Sequence, residues 1–521
     1  MTERKLLRSI AGATVIITLL GLITRGTGFV REILLANYFG LGADFDVYLV
    51  SIAFPLIIIN TVTYLGQNYF VPKYNRIKSI DADSANHFTG YNLFIFTAAG
   101  SIITFILYIY SYDLLKSYLT GAGENELRTA VRLFNYFILS IPPASALSII
   151  TAYLNAEFRF DFPAYARLAN NLFTILFIII LNSIIGIDSV PLALTVGMFL
   201  QFFLLYFYIR KISGVHIVLK FSRGSNSLKF DPDLIFVTLT EIIMLSFILI
   251  DRAFLTKVSP GGVAALNYAY TLYSLPISVL SIALGTAFLS KFSESASMND
   301  DQALKNQLYN GIRITSLLYV PILFIFIVFG SDLIYIIFQR GKFDSSGTGM
   351  TNTALIYYSI SLVFYAIFSL ITKYLYGTHS FRYLLFIAVS GLIIKATLNI
   401  YFVDLLDFSG LALSTTIAYI VMTVFSLIPV ARKIPGIIGR SSIDFIFFII
   451  VSGASIISAF YIPSLAVDIN SPADYLFLIL FPAIFILNIL VLNGAEVSMF
   501  DGIIAEIKIK VNKWKSNVRY F

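Results

Sequence analysis

The chain contains no cysteine, three histidines and one tryptophan, and only 12% of its 521 residues are charged. Without cysteine there is no disulfide, no thiolate nucleophile and no thiolate metal centre. His87, His216 and His379 lie too far apart in sequence to outline a metal site. No nucleotide-binding glycine loop and no nucleophile motif is found, which argues against ATP-driven transport by this chain. Long polar stretches are missing too. The longest connection, from Ile212 to Asp231, has about 20 residues, too few for a separate soluble domain.

What remains is apolar. Hydrophobic residues make up 58% and aromatics 16% of the chain, and the mean hydropathy is +0.85. The apolar runs are continuous rather than alternating, so they predict membrane helices and not a barrel. Fourteen such segments are expected, at 6–38, 46–72, 88–112, 130–154, 163–185, 189–210, 232–256, 263–290, 312–338, 351–376, 382–403, 409–431, 442–462 and 474–493. The N-terminal MTERKLLR precedes the first run with no small-residue cleavage site behind it, so that run reads as a retained helix.

Loop charge orients the chain. Lys73, Arg76, Lys78, Arg159, Arg210, Lys211, Lys291, Arg382, Arg432 and Lys433 fall in even-numbered loops, while Asp44, Asp113, Glu124, Asp188, Asp404 and Asp407 fall in odd ones. Basic loops stay cytoplasmic, so both termini are expected inside, and the net charge of +7 needs no nucleic-acid partner. The expected fold is an all-α polytopic membrane protein of two six-helix bundles plus two C-terminal helices. Its parts are 1–212, a basic cytoplasmic linker at 213–230, a second bundle at 231–433, two further helices at 434–495, and a basic interfacial tail at 496–521. Gly40 and Gly42 after the first helix, and Gly261 and Gly262 after the seventh, are a faint echo between the halves.

Charges inside apolar helices are costly and mark functional sites by default. Arg25 has about fifteen apolar residues before it and another run after it, which places it at a polar lumen. Glu32, seven residues on, shares its helix face; Arg31 and Glu32 fit either that lumen or the outer interface. Helix 7 carries Glu241 near its middle and Asp251 and Arg252 nearer its outer end, and Lys395 lies about a dozen residues into helix 11. Lys373, Arg167 and Arg313 lie near helix ends, where snorkelling explains them. Together Arg25, Arg31, Arg252 and Lys395 make a cationic lumen suited to an anionic head group. Guanidinium groups grip phosphate bidentately, and a polyprenyl-diphosphate saccharide leaves its tail in the bilayer while its head crosses.

The run TRGTGFVREILLANYFGLGADFDVYLVS resembles the first helices of the MurJ/MviN lipid II flippase family, within the multidrug/oligosaccharidyl-lipid/polysaccharide exporter superfamily. Arg25, Gly28, Phe29, Arg31, Glu32, Phe39, Gly40, Gly42 and Asp46 carry the match. Leu249 to Leu289, IFQRGKFD at Ile337–Asp344, and Lys395 to Tyr419 are similar to later family segments, so the likeness covers most of the first twelve helices. The resemblance implies alternating-access flipping of a lipid-linked saccharide in the bacterial inner membrane, with no enzymatic step. Arg25, Arg31 and Asp46 match its functional residues. It also implies a sodium site in some members, for which Asp251, Asn399 and Thr415 are the nearest candidates here, the alternative being ordinary polar contacts between helices; the drive is expected from membrane potential or from a coupling ion, Na+ or H+. Ile59 and Asn60 stand where the family has an arginine pair, and Ala269-Tyr270-Thr271 stands where it has A-D-R. These departures leave the cargo open between lipid II and an O-antigen, capsule or exopolysaccharide precursor. Expected partners are that lipid, membrane lipids and envelope-glycan enzymes. The other classes considered are a cation-coupled exporter, a membrane glycosyltransferase or polymerase, and a scaffold with an idle cavity.

Overall fold

The computed structural model describes residues 10–213 and 232–464. The basic N-terminus, most of the 213–230 linker, the 474–493 segment and the tail lie outside the described residues. Long apolar runs leave the backbone one way to satisfy its polar groups in lipid, the helix, and among the described residues there is no strand.

The helices are α1 Ile10–Phe39, α2 Ala43–Lys78, α3 Ala82–Ile109, α4 Glu124–Ala156, α5 Asp161–Ile185, α6 Ser189–Ser213 and α7 Pro232–Arg252. Helix α8 runs as Gly262–Pro276, a π-helical turn Ile277–Ser281, and Ile282–Ser297. There follow α9 Asp301–Phe338, α10 Ser345–Gly377, α11 Phe381–Leu406, α12 Phe408–Lys433 and α13 Ile437–Ser464. Thirteen of the fourteen predicted segments fall on these helices. Among the described residues, ten stretches are long and apolar enough to cross a membrane, one of them running through both α5 and α6. Ile102, Phe105, Leu176, Phe207 and Ile393 are exposed along such helices, which suits a hydrocarbon solvent.

The backbone repeats. Left-handed residues occur at Gly40 and Gly261, Gly121 and Gly341, Phe158 and His379, and Gly186 and Asp407. These pairs are offset by 221, 220, 221 and 221 positions. The same offset relates two hydrogen bonds: Thr195 Oγ1 on α6 donates to the Tyr136 carbonyl on α4, and Thr416 Oγ1 on α12 donates to the Tyr357 carbonyl on α10. Helices α1–α6 and α7–α12 are thus two copies of one design in the same orientation, as in parallel-repeat transporters. Helix α13 packs beside α9, where Tyr309 donates to the buried Asp444 carboxylate.

The end bearing the acidic loops, called outer here, joins the copies tightly. The Lys342 amide donates to the Asn37 carbonyl at 3.0 Å, Thr256 Oγ1 to the Thr120 carbonyl at 2.7 Å, and the Tyr118 hydroxyl to the Leu249 carbonyl at 2.6 Å. The IFQRGKFD element supplies an aromatic plug. Phe338 and Phe343 pack on Tyr268 with ring centroids 5.2 and 5.4 Å away, and Phe45 of the first copy stacks on the same ring at 5.5 Å. Gly40 sits at φ +54, where a Cβ would strike the Lys342 carbonyl. Left-handed backbone costs a residue with a Cβ about 1–2 kcal/mol, and the obstacle here is backbone that cannot swing aside. Gly40→Ala is expected to lose about 2–4 kcal/mol, read as a lower unfolding temperature in detergent.

Candidate functional site

Two sites emerge, one between the repeats and one inside the second.

Between the repeats, α1 contributes Arg25, which is exposed. Its Nη1 donates across to the Ser278 carbonyl. Ser278 lies in the π-helical turn that follows Pro276, where the regular i→i−4 ladder is interrupted and a carbonyl can face a partner. Arg167 on α5 lies within Coulombic range of Arg25. Arg167 lies near the start of α5, and its proximity to Arg25 comes from the packing of α5 on α1.

Arg25 and Glu32 share one helix but take different partners. Glu32 accepts from Arg31 at 2.9 Å, the two half-buried together. Neighbours in sequence reach each other without spanning two turns, and Arg25 takes the cross-repeat carbonyl instead.

Asp46 was expected beside the transport path. It is 2% exposed, and its carboxylate accepts from the Gly261 and Ala264 amides, each at 2.6 Å. These are unpaired donors at the N-terminus of α8, so Asp46 caps a helix of the other repeat. Arg252 also ties the repeats together. It is buried, its Nη1 donates to the Leu49 carbonyl at 2.6 Å, and its Nη2 reaches Asn267 Oδ1 at 3.5 Å.

The second site is a cavity of about 310 Å³ among α7, α8, α10, α11 and α12, with Glu241, Asp251, Arg252, Tyr270, Lys373 and Tyr419 on its wall. Lys373 is within Coulombic range of Glu241 and stands over the Tyr376 ring at 5.4 Å; the snorkelling expected for it does not describe this position. At the cavity's edge Asp251, Asn399 and Thr415 do converge. Lys395 Nζ sits among them, 2.7 Å from Asp251 Oδ1 and donating to Thr415 Oγ1. The side chain of Lys395 is 0% exposed.

The four-cation lumen is therefore not assembled in this structure. Lys395 is neutralised inside the second repeat, Arg252 is spent on backbone at the outer seal, Arg31 is paired with Glu32, and Arg25 alone of the four is exposed. The sequence could flag each charge as costly in lipid, but not the carbonyl or carboxylate that would meet it.

Two parallel helical repeats, sealed against each other at one end with charge held between them, make the architecture of a polytopic membrane transporter. The family model described as lipid II flippase MurJ matches residues 35–493, and the chain belongs to that family. Among relatives, the probable lipid II flippase MurJ of Borreliella burgdorferi is 23% identical over 463 residues, covering 86% of this chain and 87% of that one. The lipid II flippase MurJ of Burkholderia cenocepacia is 24% identical, covering 84% and 86%. Among solved structures, an inward closed conformation of lipid II flippase MurJ aligns with TM-score 0.79 at 21% identity, covering 92% of this chain and 99% of that one. An inward-facing multidrug resistance MATE family transporter aligns at TM-score 0.64 and 14% identity, covering 84% and 95%. At these identities the structural matches speak to fold alone.

Proposed function

We propose that this multi-pass membrane protein flips a polyprenyl-diphosphate-linked saccharide from the cytoplasmic to the outer leaflet, the two repeats rocking between inward- and outward-open states. The carrying observation is Arg25, an exposed guanidinium between the repeats whose present partner is only a carbonyl. A diphosphate is a stronger acceptor for the same donors, and Arg167 adds a second positive charge within reach. We take the chain to have fourteen crossings with both termini cytoplasmic, helices α1–α6 and α7–α12 as its two bundles, and the remaining C-terminal segments as additions. It makes and breaks no bond in its cargo. Membrane potential or a cation gradient supplies the drive.

Which glycan rides on the lipid is read from the helix-2 and helix-8 positions. Asn60 is exposed and Tyr270 lines the second-repeat cavity, so both places are polar but uncharged. That favours a head group with fewer anionic contacts beyond its diphosphate than an arginine-rich path would serve.

The experiment is complementation of a strain depleted of its own lipid II flippase, with flipped head group detected by an externally added probe. Wild-type protein is expected to support flipping of a lipid-linked saccharide. Arg25→Ala is expected to insert and express normally, because the side chain is exposed, while flipping falls about tenfold to a hundredfold. That is the worth of one charge-assisted guanidinium contact of about 1.5–3 kcal/mol. Undiminished flipping by Arg25→Ala would remove Arg25 from the cargo path.

A further inference from the structure

Lys395 and Asn399 lie one helical turn apart on α11, facing Asp251 of α7 and Thr415 of α12. Asp251 Oδ1 accepts from both Lys395 Nζ, at 2.7 Å, and Asn399 Nδ2, at 2.9 Å. Thr415 Oγ1 accepts from the same ammonium and donates to the Leu411 carbonyl at 3.0 Å. The Phe247 ring covers the ammonium at 5.7 Å. One group in the cluster has no partner: Asn399 Oδ1, fully buried, accepts nothing. Asp251, Lys395, Asn399 and Thr415 correspond, 221 positions earlier, to Val30, Thr174, Ile178 and Leu194. The cluster is therefore built into the second repeat alone and is not a by-product of the shared design.

A carboxylate, an amide oxygen and a hydroxyl oxygen converging in an apolar bundle are the ligands of a hard monovalent cation, and the family resemblance implies sodium here. The residues present do not fit it. A sodium ion bound to the Asp251 and Thr415 oxygens would occupy the space of the Lys395 ammonium and be repelled by its charge. The other charged side chain nearby, Arg252, is itself a cation, held on the Leu49 carbonyl, and adds no negative charge to offset a second positive one. Tyr118, Tyr270 and Tyr358 are the remaining titratable groups within Coulombic range of Asp251, and none brings a negative charge at neutral pH.

We propose that this chain carries its own cation: the Lys395 ammonium permanently fills a latent sodium site formed by Asp251, Asn399 and Thr415. The native protein then binds no sodium there, and its transport cycle runs without a sodium gradient. Removing the ammonium uncovers the site. The inference concerns the coupling ion of the transport cycle proposed above, but its test contains no lipid cargo, so the two readings fail independently.

The test uses full-length protein in detergent. Unfolding temperature is followed as sodium chloride replaces choline chloride at constant ionic strength, and binding of radioactive sodium is measured alongside. Wild type is expected to show no sodium-specific shift and no bound sodium. Lys395→Ala is expected to unfold earlier than wild type in choline, to recover saturably with sodium, and to bind sodium, with both responses lost when Asp251→Asn is added. Sodium bound by the wild type overturns the proposal, as does a folded Lys395→Ala that ignores sodium. Lys395→Met, which keeps the apolar stem, serves if the alanine variant does not fold. If neither folds, the wild-type binding measurement decides.

Discussion

Asp46→Ala is expected to open the outer end of this protein. Its carboxylate holds the Gly261 and Ala264 amides at 2.6 Å each, from the opposite repeat and out of contact with water. A charge-assisted hydrogen bond is worth about 1.5–3 kcal/mol, and leaving a buried donor unpaired adds to the loss. Because donor and acceptor belong to different repeats, that loss falls on the outward-closed state; in an outward-open state the α8 amides can turn to water. A shift of about 3–5 kcal/mol raises the open population a hundredfold or more. The chain has no cysteine of its own, so a single Ser278→Cys reports directly. Ser278 lies beside Arg25, well below the seal, and a membrane-impermeant maleimide added outside should label it slowly in the otherwise native protein. Adding Asp46→Ala should speed labelling by about two orders of magnitude, with Asp46→Asn falling between. An unchanged rate would mean that the aromatic plug of Phe45, Tyr268, Phe338 and Phe343 holds the outer end without Asp46.

The second large effect concerns the buried ion pair. Asp251→Ala leaves the Lys395 ammonium, 0% exposed, with one hydroxyl and an aromatic face for company. Breaking a buried pair from one side costs about 3–5 kcal/mol, whereas replacing both members with apolar groups of similar volume is often neutral or favourable. Asp251→Ala should therefore unfold well below the wild type and give little monodisperse protein. Asp251→Leu combined with Lys395→Met should return close to the wild-type unfolding temperature. The coupling across that cycle should exceed about 2 kcal/mol. Simple additivity of the two single losses would show that the residues do not act as a pair. If the double variant folds but fails to flip lipid, the pair serves transport and not stability.

These effects mark where reading the chain as a string runs out. The helices follow from run length, because a backbone in lipid must satisfy itself within its own segment. The repeat was barely visible: Gly40 and Gly261 can be matched by eye, but Phe158 pairs with His379 and Gly186 with Asp407, and a left-handed phenylalanine or histidine leaves no compositional trace. For Lys373 and Arg167, counting residues from a helix end says how deep a charge lies, not which neighbour leans over it.

The amino-acid sequence by itself determined that this is a helical membrane protein, roughly where its helices lie, and which charges in them demand an explanation. It also placed the chain beside its family, since the Arg25 to Asp46 pattern is local. Only the tertiary structure decided what most of these charges do, because, the adjacent Arg31–Glu32 pair apart, the deciding partners are distant in sequence. Asp46 meets Gly261 and Ala264 over more than two hundred positions, Arg25 meets Ser278, and Lys395 meets Asp251. Helical periodicity states which side chains share a face. What stands opposite that face is set by how the two repeats pack, and in a low-dielectric interior it is the opposite group that makes a buried charge a latch, a resident cation or a hand for the cargo.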